Sequence, residues 1–202
     1  GELSPSTTPK WVQTPAGSRL VFSGLPLSYP AGCSLVIFLT EPDGAMLMRA
    51  KVLLDPVASY EISVPQNLGM RCPTVQLRPM PPGDIVRQLG GRLLVAAGSV
   101  LYYSEVYQYG VMNPSKGFIQ FPGDITVMET TSGGTWVCAD QPYWFGGLDI
   151  AAADPNPVAA YGGVRGSGGQ VPNSNDVFWM SPRGVMRGTQ DGQFTNLQEA
   201  HV

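Results

Sequence analysis

The stretch Gly91 to Glu105, GRLLVAAGSVLYYSE, reads as a strand, a tight Ala-Gly-Ser turn and a second strand, and it recurs. When Leu94-Val95-Ala96 is laid over Trp136-Val137-Cys138 and Phe178-Trp179-Met180, the second strands align too, Leu101 over Tyr143 over Val185. Both steps are 42 residues. That period belongs to four-stranded propeller blades, units whose apolar faces are covered only by neighbouring units. The recurrence therefore predicts an all-β chain with three propeller-like blades. Three fall short of the roughly four to eight that close a ring. The expectation is an incomplete ring, completed by strands of the first domain, by other copies or by further chain; an end at Ala200-His201-Val202 without a polar capping strand favours the last.

Composition agrees with this class. Twenty-five glycines and 19 prolines among 202 residues leave little room for a long helix and suit short strands joined by turns. Charged residues make up 13% of the chain and the net charge is -3, with lysines and arginines scattered, so no nucleic-acid footprint is expected. No apolar run approaches the ~18 residues of a membrane span, and the first residues lack the pattern of a signal peptide. Cys33, Cys72 and Cys138 form no CxxC pair; they read as reduced, buried thiols, with a single bridge as the alternative.

Residues 1–17, rich in Ser, Thr and Pro, read as an extended N-terminal arm with Trp11 as a packing anchor. Residues 18–78 read as a small antiparallel β-sandwich-like module of about five strands. In it, Cys33 to Thr40 is followed by the turn Glu41-Pro42-Asp43-Gly44 and a returning strand within Ala45 to Leu54, Val57 to Val64 alternates, and Val75-Gln76-Leu77 supplies a last strand. The proline-rich 79–84 segment is the expected linker and hinge, and 85–202 carry the repeats. Within them Tyr107 to Phe121 reads as a long loop, Ala159-Ala160-Tyr161 as the inner strand of the third blade, and the glycine-rich run from Gly162 as a flexible connection.

Catalytic chemistry is scarce. The lone histidine, His201, leaves no partner for a Ser-His-Asp or Cys-His site, and no metal or cofactor site is expected. Most aspartates adjoin Gly or Pro, where turn formation explains them. Aromatic density is the positive feature. Strand aromatics such as Tyr102 and Tyr103 read as packing, whereas Tyr107 and Tyr109, with Phe118 in the same loop and Trp144 in the second repeat, form the candidate interaction surface.

Those same residues carry a resemblance. GRLLVAAGSVLYYSEVYQYG, the following NPSKGFIQF, Phe178-Trp179-Met180-Ser181-Pro182-Arg183-Gly184-Val185 and Asp191-Gly192-Gln193 resemble tailed-bacteriophage and prophage virion structural proteins, whose members carry "GRLYVA-GN-LYYSEP" runs and "DGQ" turns. The chain departs from that pattern at Ser99, where Asn is usual, and at Val106, where Pro is common. The resemblance implies a structural, non-enzymatic protein of the tail or neck, assembled in the bacterial host cytoplasm into the virion. Its implied partners are other virion proteins and further copies of itself. Two alternatives stand beside it: a carbohydrate- or receptor-binding module that meets a host surface glycan through the loop tyrosines and Trp144, and a propeller-type glycan hydrolase working through carboxylates.

Overall fold

The computed structural model describes residues 4–13, 15, 17–63, 67–170 and 174–199. The expectations that touch Val64, Pro172 and the segment Ala200 to Val202 lie outside the described residues. The chain is all-β and divides into two compact units, one within Ser6–Val75 and one within Gln76–Val202.

In the first unit β1 (Arg19–Ser23), β2 (Leu35–Leu39), β3 (Met48–Leu53) and β4 (Ser59–Ser63) form two antiparallel pairs, β1 with β4 and β2 with β3. The β2–β3 connection starts with the turn read from the sequence: the Gly44 amide donates to the Glu41 carbonyl at 2.9 Å, with Asp43 in the left-handed region at φ 57°. Alternation in β4 turns Tyr60 and Ile62 inward, so that Ile37, Leu53 and Ile62 share one small core. Two expectations fail here. Val75 to Leu77 form no strand, because Gln76 adopts a left-handed φ of 69° that breaks extension. Trp11, expected as a packing anchor, is 84% exposed.

The second unit contains β5 (Arg78–Pro79), β6 (Ile85–Leu89), β7 (Arg92–Ala97), β8 (Val100–Tyr103), β9 (Val111–Met112) and β10 (Phe118–Gln120), then β11 (Val127–Thr130), β12 (Gly134–Cys138), β13 (Pro142–Gly146) and β14 (Asn156–Pro157), then β15 (Gly169–Gln170), β16 (Val177–Ser181), β17 (Gly184–Gly188) and β18 (Phe194–Asn196). They build three four-stranded antiparallel, blade-like sheets in the orders β6-β7-β8-β10, β11-β12-β13-β14 and β15-β16-β17-β18, none of them closed, while β5 pairs with β9. First strands open at Ile85, Val127 and Gly169, and third strands at Val100, Pro142 and Gly184, in each case 42 residues apart. Sheet one packs on sheet two through Leu94, Leu101 and Tyr103 against Met128, Val137 and Phe145. Sheets two and three meet through Trp136, Trp144 and Trp179, the Trp136 ring centroid lying 4.9 Å from that of Trp144 and 5.5 Å from that of Trp179.

Four local expectations are corrected. The 107–121 stretch is not one loop: Val111–Met112 pair with β5, and Phe118–Gln120 are the outer strand of sheet one. Arg78 to Asp84 is no free hinge, since it carries β5, the Met80 amide donates to Gly110, the Asp84 amide donates to Ala96, and Gly83 lies directly against Val95 and Ala96. Ala159 to Tyr161 is not a strand; the first strand of sheet three is Gly169–Gln170. The glycine-rich run is a packed strap rather than a flexible connection. A side chain at Gly168 would stand 2.5 Å from Val127 Cγ1, and one at Gly163 3.1 Å from the Trp179 ring and 3.2 Å from Cys138 Cβ. Glycine is needed there because the backbone itself fills the space between sheets.

The second strands also depart from the expected register. The β7–β8 and β16–β17 hairpins turn through two residues, with Ala97 opposite Val100 and Ser181 opposite Gly184. The β12–β13 hairpin uses three, with Cys138 opposite Pro142. One added residue turns every side chain of β13 to the opposite face. Tyr143 therefore points towards sheet one, 5.1 Å from Phe121, and Trp144 joins Trp136 on the face towards sheet three.

Candidate contact surface

The two-residue connection between β6 and β7 is Gly90-Gly91, at φ 54° and 76°. Paired left-handed residues are what a tight hairpin of this hand requires. The absent side chains also make room for neighbours. A Cβ on Gly91 would lie 2.7 Å from the Tyr107 ring, and one on Gly90 would collide with the Leu148 carbonyl. The turn is thus the floor on which two other segments rest.

The first of these is Glu105 to Tyr109. Its Tyr107 amide donates to the Gly91 carbonyl at 2.7 Å, Gln108 closes back on Glu105 at 3.2 Å, and the Glu105 amide reaches Val111 at 3.0 Å. Tyr107 itself adopts φ 56°, a conformation that costs a bulky residue about 1–2 kcal/mol. Its side chain is 72% exposed, and Val106 beside it is also exposed. The second segment brings exposed Leu148, next to Asp149, which is 3.4 Å from Arg92. Arg92 also donates to the Ser104 carbonyl at 2.7 Å and lies over the Tyr103 ring, joining the two segments to β7. Burial raises the Tyr103 phenol above its ordinary pKa, and its hydroxyl donates to the Lys116 carbonyl. The result is an apolar patch of Val106, Tyr107 and Leu148 on a braced turn.

The sequence-derived site residues separate. Tyr107 is in this patch. Tyr109 is half-buried and accepts a 3.1 Å hydrogen bond from Gln88. Phe118 is 44% exposed, but on the sheet-one face that turns away from sheet two, in register with Tyr102. Trp144 is not a surface residue: it is 9% exposed, stacked near Trp136 and closed in by Gly192 and Gly134, because the longer β12–β13 turn points it inward. Sequence reasoning missed Val106 and Leu148. The Gly90-Gly91 pair was the available signal, since adjacent glycines mark a turn that other backbone can approach closely.

Several of the carboxylates are engaged in ion pairs and hydrogen bonds. Glu129, buried on β11, receives both Nε and Nη2 of Arg87 on β6 at 2.8 and 2.6 Å, a bidentate pair whose hydrogen bonding raises the arginine's pKa further. Asp84 and Asp124 flank Arg165 at 3.3 and 3.5 Å, Asp176 holds Arg187, and Asp140 accepts the Tyr143 hydroxyl. Among the described residues no group of three or more His, Cys, Asp and Glu side chains is placed to hold a metal ion, and no helix is long and apolar enough to cross a membrane. The three cysteines are free; Cys72 and Cys138 are buried as expected, but Cys33 is exposed. No known protein family matches the chain, and no curated protein does.

Proposed function

We propose that this chain is a structural subunit of a tailed-phage or prophage particle, in the tail or neck, acting through protein–protein contacts after assembly in the bacterial cytoplasm. The observation that carries the reading is Tyr107: a bulky aromatic kept exposed, on a strained left-handed backbone, beside two further exposed apolar side chains. Strain held in place by surrounding hydrogen bonds contributes nothing to folding, and an external contact accounts for it. The resemblance of the 91–105 hairpin and of the 178–185 segment to virion structural proteins supplies the setting.

Quantitative mass spectrometry of purified particles tests this reading. The chain is expected in stoichiometric amounts, and Tyr107→Ala combined with Leu148→Ser is expected to lower its incorporation while leaving its unfolding midpoint nearly unchanged. Particles that lack the chain would overturn the proposal. The exposed Tyr107 ring also favours a second reading, a glycan platform on the particle surface. Binding on a glycan array that Tyr107→Ala abolishes, with incorporation intact, would favour that reading over the first.

A further inference from the structure

The sheets of the second unit use the same two kinds of face at both of their joints. One kind is built from positions such as Leu94 and Ala96, and 42 residues later Trp136 and Cys138; it points to the following sheet. The other is a row across the strands, Met128–Val137–Tyr143–Pro157 in sheet two, and it points to the preceding sheet. Each joint sets one face of the first kind against one of the second.

Among the described residues of this unit each kind also occurs once with no further blade-like sheet on it, although in sheet one Gly83 of the same chain lies over Val95, which is 3% exposed, and leaves the two ends of the row open. In sheet one, Val86–Val95–Tyr102–Phe118 form a continuous cross-strand row, with Val86 and Val95 standing 42 residues before Met128 and Val137. Val86 is 47% and Phe118 44% exposed. In sheet three, Phe178 and Met180 stand 42 residues after Trp136 and Cys138, with Val185 opposite Met180. Met180 is 47% exposed. The sheet-one row Val86–Val95–Tyr102–Phe118 is uncharged, and Arg187 beside Phe178 is neutralised by Asp176 at 2.8 and 2.5 Å.

We infer that the sheet-three face of one molecule receives the sheet-one row of a second copy, repeating between chains the joint that each chain makes twice within itself. The partner is a second copy because that chain carries the complementary kind of face, at the same repeat positions on the first two strands as the joints already formed; on the third strand the sheet-one row uses Tyr102, one place on from the equivalent of Tyr143. A joint between unlike faces is heterologous, so two copies can close on each other through two equivalent joints. Two chains of three sheets bring together six, within the roughly four to eight that close propellers. The inference rests on the reading of the chain as an assembly subunit, but it concerns the purified protein alone.

Sedimentation of the purified full chain tests it. The wild type is expected as a dimer. Phe118→Arg and Met180→Glu, each at a partly exposed position, are each expected to weaken association on the order of a hundredfold by placing an unpaired charge in the joint. Retained fluorescence of the buried Trp136, Trp144 and Trp179 would show that both variants fold. A one-to-one mixture of the two variants is expected to recover the dimer, because the intact sheet three of one then meets the intact sheet one of the other. A monomeric or larger wild-type species, variants that still dimerise, dissociation by only one variant, or no recovery on mixing would each overturn the inference. Failure here would leave particle incorporation intact, whereas failure of the virion reading would appear as particles without the chain.

Discussion

Trp144 and Tyr107 show how little residue type alone says about role. Both are large aromatics beside glycine-containing turns, yet one is closed in between sheets and the other stands out from its turn. Trp144→Ala is expected to destabilise the fold by about 3–5 kcal/mol, the usual cost of emptying a packed aromatic site, measured from urea unfolding. Tyr107→Gly should instead be neutral or stabilising by up to about 1 kcal/mol, since glycine adopts φ 56° without strain. A loss comparable to that of Trp144→Ala would mean that Tyr107 is a packing residue. The thiols divide in the same way. Burial pushes Cys138 up from 9.0 to about 12, so the unfolded chain loses this proton first as pH rises. Its contribution to stability is whole below pH 9 and is lost progressively towards pH 12. Cys138→Ala should flatten that part of the alkaline decline in the urea midpoint, and in native protein a thiol reagent should label Cys33 while sparing Cys138.

For the elements, turn length and strand-to-strand anchoring matter more than the strands' own propensities. Arg87 and Glu129 join β6 to β11, the first strands of adjacent sheets, with Glu129 buried and Arg87 partly exposed. Arg87→Ala leaves that carboxylate buried without its cation and is expected to cost about 3 kcal/mol, while the double change Arg87→Met with Glu129→Leu should cost much less. Unfolding of the two variants side by side checks the order, and equal losses would mean that packing rather than charge dominates. The glycine-rich strap gives a second check. Gly168→Ala forces a methyl to within 2.5 Å of Val127 and should lower the melting temperature clearly. The same change at Gly169, which has nothing within 4 Å, should not. Strand positions and the 42-residue period were legible because hydrophobic runs and turn residues are local signals. The strap was not, because a sequence rich in glycine looks the same whether its backbone is free in water or wedged between two sheets.

For the whole molecule, the virion reading proposed above makes incorporation into particles the measure of its contact surface. Val106→Ser is expected to reduce incorporation into particles less than the Tyr107→Ala and Leu148→Ser pair does, in proportion to the smaller apolar area removed; a larger loss would place the contact elsewhere on the loop. The all-β class, the three repeated units and the spacing of their first and third strands could be read directly from the residues, since each is encoded by alternation and turn chemistry within a few positions. Which face each strand of a unit presents, and hence which aromatics are core and which are surface, was settled by the pairing and packing of the sheets. The physical reason is the two-residue period of a β-strand: one extra residue in the 139–141 turn leaves the spacing of the repeat intact and reverses every side chain of β13. Packing also set Leu148, distant in sequence, on the Gly90-Gly91 turn: the paired glycines mark a turn that backbone can approach, but nothing around Leu148 marks it as the segment that does.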